Sequence, residues 1–225
     1  MNGSALSVNW ADRHVPAIIE AWYPGGQGGQ AVARLIAGDF SPAGRLPVTF
    51  YASVDQLPDF NDYSMANRTY RYFDGEALYP FGYGLSFTHF AYDNPEVTTA
   101  GIDAEPRVTV TVDITNDGAM DGDEVAQLYL SRPGVAGAPI RALAGFQRLH
   151  LRRGETRQVS FNLNARDLSI VDPDGVRRVV PGTVNVWIGG GQPASRSGLA
   201  EPSGVSTQFE IGQAATLSEP VDRSP

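Results

Sequence analysis

A chain of 225 residues that is 42% hydrophobic has room for one or two domains and can bury a core. Its formal net charge of −8 argues against a general affinity for nucleic acid or an anionic membrane surface. The absence of cysteine excludes disulfides, a thiol nucleophile and thiolate metal sites.

The start, "MNGSALSVNWADRH", lacks the charged region and apolar run of a signal peptide, and no stretch approaches the roughly 20 apolar residues that span a bilayer. "ALSVNW" (5–10) reads as a short strand. Pro16 sits where a first helical turn tolerates proline, so a helix is predicted over "AIIEAWY", with Ile18, Ile19 and Trp22 sharing a face. "PGGQGG" interrupts it. A second helix follows on the helical spacing of Ala31, Val32, Leu35 and Ile36, with Gly38 as its C-cap. "GRLPVTF" reads as a loop entering a buried strand. Residues 1–50 thus form a strand–helix–helix–strand piece, too small to cover both faces of a sheet.

Residues 51–86 carry many aromatic and turn residues with little periodicity and are expected to be a connector. From Phe87 the pattern changes. "RVTVTVDIT" (107–115) places Val108, Val110, Val112 and Ile114 on one face. "DEVAQLYLS" (123–131) alternates through either Val125, Gln127 and Tyr129 or Ala126, Leu128 and Leu130. "LAGFQRLHL" (143–151), "RQVSFNL" (157–163), "VNVWIG" (184–189) and "STQFEIG" (206–212) continue the series. Short strands separated by Gly, Pro and Asp turns predict an antiparallel sandwich of about seven strands over residues 87–212. The tail, 213–225, is expected to be disordered.

Chemistry is scarce. His14, His89 and His150 are far apart, so no His-rich metal centre is expected. The glycines before the second helix match neither the dinucleotide nor the Walker pattern. "NDGAMDGDE" (116–124) clusters carboxylates without the order of a calcium loop, and reads as a hairpin turn. Glycoside hydrolysis needs two carboxylates facing one cleft, and no pair can be placed opposite each other. Asn2-Gly3-Ser4 and Asn67-Arg68-Thr69 match the glycosylation sequon, a frequent chance pattern. The residue-level reading names no catalytic residue and no metal ligand. One constellation stands out, "NRTYRYFDGEALYPFGYGLSFTHF" (67–90), where Arg68, Tyr70 and Tyr72 are candidate substrate contacts. Its glycines at 82 and 84 suit a chain that threads rings between two packed bodies, with Tyr79, Phe81, Tyr83 and Phe87 buried at the seam.

"AIIEAWYPGGQGGQAVARLIAGDFSPAGRLPVTFY", "LPDFNDYSMANRTYRYFDGEALYPFGYGLSFTHFAY", "ITNDGAMDGDEVAQLYL" and "PIRALAGFQRLHLRRGETRQVSFNL" together resemble the C-terminal third of family 3 glycoside hydrolases. The resemblance is to the bacterial β-xylosidase/β-glucosidase type and runs from residue 1 to about 212. It implies a mainly β chain: a fibronectin type III-like antiparallel β-sandwich preceded by the C-terminal remnant of an α/β sandwich domain. It also implies an upstream barrel carrying the aspartate nucleophile and an upstream α/β segment carrying the glutamate acid/base, so neither transfers to a position in this chain. Met1 would correspond to an internal methionine of a longer parent. The implied parent is a retaining enzyme that removes terminal β-D-xylosyl or β-D-glucosyl residues without a cofactor, in a family often periplasmic or secreted. The implied partner is the N-terminal barrel and α/β domain of that parent, through which the chain would meet saccharide, with no nucleic acid and no membrane. Two alternatives stand beside it. One is a carbohydrate-binding or interaction module, favoured if Tyr70, Tyr72, Tyr79 and Phe81 are exposed and coplanar. The other is a subunit completing a separately encoded barrel.

Overall fold

The computed structural model describes residues 2–100, 107–172, 174–193 and 196–217. Its body is a sandwich of seven strands. One sheet contains β1 (Phe90–Ala100), β2 (Arg107–Asn116) and β5 (Thr156–Leu163) in the order β1-β2-β5. The facing sheet contains β3 (Gly122–Ser131), β4 (Ala142–Leu151), β8 (Gly182–Gly189) and β9 (Gly204–Ile211) in the order β4-β3-β8-β9. All named pairings are antiparallel.

Period-two patterning explains the core. Val108, Val110, Val112 and Ile114 point inward from β2 and meet Ala126, Leu128 and Leu130 of β3, Val184, Val186 and Ile188 of β8 and Phe161 of β5. The open choice on β3 is thereby decided. Its other face, Gln127 and Tyr129, is buried too, beneath the residues that precede the sandwich. A strand covered on both sides loses its alternation, which is why neither register stood out in the sequence.

β1 was not predicted as a strand, because "FAYDNPEVTTA" contains a proline and polar residues. It lies at a sheet edge, and its register shifts between Asp93 and Glu96, with Asn94 at φ 51. An edge bulge accommodates Pro95 without breaking a ladder. A small third sheet joins β6 (Ile170–Val171), β7 (Arg177–Val179) and β10 (Ala215–Thr216). The last of these corrects part of the disordered tail: Ala215 pairs with Val179 and Thr216 with Arg178. Residues 218–225 lie outside the described residues.

The N-terminal piece departs most from expectation. Residues 5–8 form no strand, and the first helix, α1 (Asn9–His14), occupies the end of that stretch. The helix predicted after Pro16 is absent. Val15 is extended, as a residue before proline prefers, and Trp22 sits at φ 49, with its N–H donating to Glu20 Oε1 (2.8 Å). Residues 44–50 carry one isolated bridge, Phe50 to Tyr79, in place of a strand. The first two lack support: a strand needs a neighbour for its backbone and an amphipathic helix needs an apolar surface, and the described residues supply neither there. Residues 46–50 do lie beside 79–83, but Pro47 has no N–H to give a ladder, and the pairing stays a single bridge. α2 (Gly28–Ala37) does form, and ends at Gly38 in the left-handed region (φ 79). Yet Ile36, on its apolar stripe, is 71% exposed.

We expect limited proteolysis to nick the irregular, exposed stretches 16–26 and 58–66 before it cuts the sandwich, which is closed on its own core. Early cuts within residues 107–163, with 16–26 and 58–66 intact, would contradict this.

Candidate functional site

The aromatic segment joins the two parts of the chain. Residues 46–50 run beside 79–83: Gly82 N–H donates to Leu46 O (2.7 Å), Leu46 N–H to Tyr83 O (2.9 Å) and Phe50 N–H to Tyr79 O (2.9 Å). This hairpin-like seam lies on β3. Gln127 Nε2 donates to both Gly82 O and Gly190 O (3.1 Å each), and Tyr129 Oη donates to Gln127 Oε1 (2.6 Å). Burial pushes the Tyr129 hydroxyl well above the ordinary tyrosine range, so it stays a donor. The glycines are required by contact. A Cβ on Gly82, which has φ +80, would fall 2.3 Å from Gln127 Oε1, and one on Gly84 would fall 2.3 Å from Gly44 O.

Ring packing completes the seam. Tyr70 stacks on Phe81 with centroids 4.1 Å apart and meets Tyr129 edge-on at 6.1 Å, while its hydroxyl accepts from Leu143 N–H (3.2 Å). Tyr79 stacks on Tyr83 at 5.8 Å. Phe87 corrects the expectation of a fully packed row, because it is 53% exposed. Phe90, three residues later, takes the core position instead.

Two ionic anchors join segments far apart in the sequence. Arg45 Nη2 bonds to Glu124 Oε2 (2.9 Å), its Nε donates to Gly190 O (2.9 Å), and Tyr92 Oη donates to Glu124 Oε1 (2.7 Å). The Arg45 and Glu124 side chains are 9% and 2% exposed. Burial first, and then the Glu124 carboxylate, raises the Tyr92 hydroxyl well above its usual range. In the second anchor Asp12 Oδ1 accepts from Tyr79 Oη (2.7 Å) and from Arg196 Nη2, and Arg196 Nε donates to Leu78 O (3.0 Å). Burial, then the bond to Asp12, pushes the Tyr79 hydroxyl up to about 12. Both carboxylates are tied into the fold by a guanidinium and a tyrosine, and neither is free to approach a substrate.

The predicted contacts lie around this seam. Arg68 spends its guanidinium on backbone carbonyls, with Nε to Ser64 O (3.1 Å) and Nη2 to Asp59 O (3.0 Å) and Asp62 O. Tyr72 is half-buried beneath the Arg71 guanidinium, 5.9 Å from its centroid. Tyr70 borders a cleft of about 310 Å³, together with Thr49, Asp74, Glu76, Arg141 and Arg196. Asp74 and Glu76 stand exposed on its rim. The "NDGAMDGDE" carboxylates disperse to separate partners: Asp121 to Arg153 N–H, Asp123 to Arg148 and His150, and Glu124 to Arg45.

This chain matches the Glycosyl hydrolase family 3 C-terminal domain over residues 1–87 and the Fibronectin type III-like domain over residues 124–192. It is 41% identical over 189 residues to a xylan 1,4-beta-xylosidase of Xylanibacter ruminicola, an alignment covering 84% of this chain and 22% of that protein. The chain belongs to glycoside hydrolase family 3. Other family 3 relatives include a beta-xylosidase of Formosa agariphila (38% identical, covering 86% of this chain and 28% of that protein). A periplasmic beta-glucosidase of Salmonella typhimurium is 35% identical, covering 84% and 26%. The solved structure of beta-glucosidase 3B from Thermotoga neapolitana with alpha-D-glucose superposes with a TM-score of 0.83 at 27% identity, covering 97% of this chain and 31% of that one. The family 3 chain therefore spans about a quarter of the length of the curated relatives it matches.

Proposed function

We propose that this chain acts as the C-terminal portion of a retaining, exo-acting β-glycosidase that removes terminal β-D-xylosyl or β-D-glucosyl residues. The nucleophile and the acid/base come from an upstream barrel and α/β segment, and this portion supports them without catalysing the reaction itself. An upstream carboxylate forms the glycosyl–enzyme intermediate and water hydrolyses it. The observation that carries the reading is where apolar surface is left open. Trp10, Tyr23, Ile36, Val54, Phe60 and Tyr63 are each at least 66% exposed, and all precede residue 87. From residue 87 onward, among the described residues, the exposed large hydrophobics are Phe87, Ile140, Phe146 and Val171, and of these Phe146 alone passes that mark, at 67%. Such a concentration marks a surface built to be covered, and the remainder of an α/β domain fits it. Arg68, Tyr70 and Tyr72 serve in this reading to brace the seam, and touch saccharide only if the assembled parent brings it there.

The test is direct. Purified chain, assayed with aryl β-xyloside and aryl β-glucoside, is expected to turn over neither above a mock preparation. Turnover that survives repurification would overturn the reading.

A further inference from the structure

A hollow of about 630 Å³ lies on the outer face of the β4-β3-β8-β9 sheet, and register builds it. Tyr129 of β3 is paired with Trp187 of β8, and Trp187 with Ser206 of β9. Two residues along, Ser131 is paired with Asn185, and Asn185 with Gln208. The inward positions between them, Val184, Val186 and Ile188, belong to the core. Each row crosses three strands about 4.8 Å apart, giving a floor roughly 10 Å wide.

The indole of Trp187 lies across a pair of opposed glycines. Gly189 and Gly204 are register partners, and a Cβ on either would fall 2.8 Å or 2.3 Å from the indole ring. Its Nε1–H donates to Gly191 O (2.9 Å), which fixes the ring's direction. One face therefore rests on backbone and the other faces the hollow. Larger side chains at 189 or 204 would lift the ring, so the glycines present it.

Polar groups without partners surround it. Among the described residues, the side chains of Ser131, Asn185, Ser206 and Gln208 make no hydrogen bond, and Arg141, which also lines the hollow, makes neither a hydrogen bond nor an ion pair. Burial depresses the Arg141 guanidinium below its ordinary range, and the Tyr129 hydroxyl offsets part of that. A flat apolar ring, two amides, hydroxyls and one guanidinium suit a neutral polyhydroxylated ligand with an apolar ring face. A single cation in a chain of net charge −8 does not suit a polyphosphate.

We propose that this groove binds a β-linked xylo- or gluco-oligosaccharide, stacking a pyranose ring on Trp187 and hydrogen-bonding its hydroxyls to Asn185, Gln208 and Arg141. The identity of the sugar rests on the functional reading above, whereas the groove does not. This is a direct saccharide contact, added to any made through the parent.

The test titrates the full 225-residue chain with xylohexaose and cellohexaose by calorimetry. Saturable binding to at least one is expected, and Trp187→Ala should weaken it by about tenfold or more, the loss of one good ring contact. Because that variant disturbs packing, the paired change Asn185→Ala with Gln208→Ala is the second arm. Both residues are exposed, so the urea midpoint should stay put while binding falls by about threefold or more. Absence of saturable binding to both sugars, or binding unchanged in both variants, overturns the proposal. Binding by the isolated chain, combined with no gain of hydrolysis when the chain is joined to upstream domains, keeps the groove and sinks the parent reading. The reverse pair of results does the opposite.

Discussion

Arg45→Met is expected to destabilise the protein by about 3–5 kcal/mol, because it strands a buried carboxylate without its cation. Glu124 is 2% exposed at its side chain, and its remaining partner, Tyr92 Oη, offers one neutral hydrogen bond. The same change removes the Arg45 bond to Gly190 O, which fastens the 41–50 segment to the end of β8. Urea unfolding followed by tryptophan fluorescence measures the loss. The double variant Arg45→Met with Glu124→Leu should recover much of it, since replacing a buried pair by apolar groups is far cheaper than breaking it. A single-variant loss under about 1 kcal/mol would mean that the pair is solvated and the seam loose.

Gly82→Val is the second large effect, expected at about 2–5 kcal/mol from the left-handed backbone and the overpacking together. The new Cβ meets Gln127 Oε1 and the Tyr129 hydroxyl, both held in a buried hydrogen-bond chain with no room to withdraw. Gly134→Val separates the two causes. Gly134 has a similar φ of 77 but open space where the Cβ would go, so its variant should lose only the backbone part, about 1–2 kcal/mol. Equal midpoints for the two variants would remove the case for a tightly sealed seam.

The sandwich was legible because its information is local. Val108, Val110, Val112 and Ile114 alternate within one strand, and all four are buried. α2 and its Gly38 cap were legible for the same reason. The failures share a different origin. "ALSVNW" and "GRLPVTF" have strand composition, but a strand forms only beside another, and pairing is not written in the segment itself. Asp12 and Arg196 stand 184 residues apart, and no spacing rule connects them. One trace of the Arg45–Glu124 anchor was available: Glu124 falls in the apolar row of Ala126, Leu128 and Leu130, where a carboxylate requires a buried cation. The groove around Trp187 also escaped notice, since it depends on which residues of three strands are opposed. Alternation reports the face but not the partner.

We propose above that this chain completes a β-glycosidase made active by domains outside it. The most direct measurement uses the Xylanibacter ruminicola xylan 1,4-beta-xylosidase, whose matching segment is 22% of its length. That enzyme would be prepared intact, with the segment deleted, and with this chain grafted in its place. Hydrolysis of an aryl β-xyloside is then compared across the three soluble proteins. The account predicts that deletion abolishes turnover and that the graft restores it. A graft that is folded by circular dichroism and elutes at the intact enzyme's size, yet stays as inactive as the deletion, would contradict it.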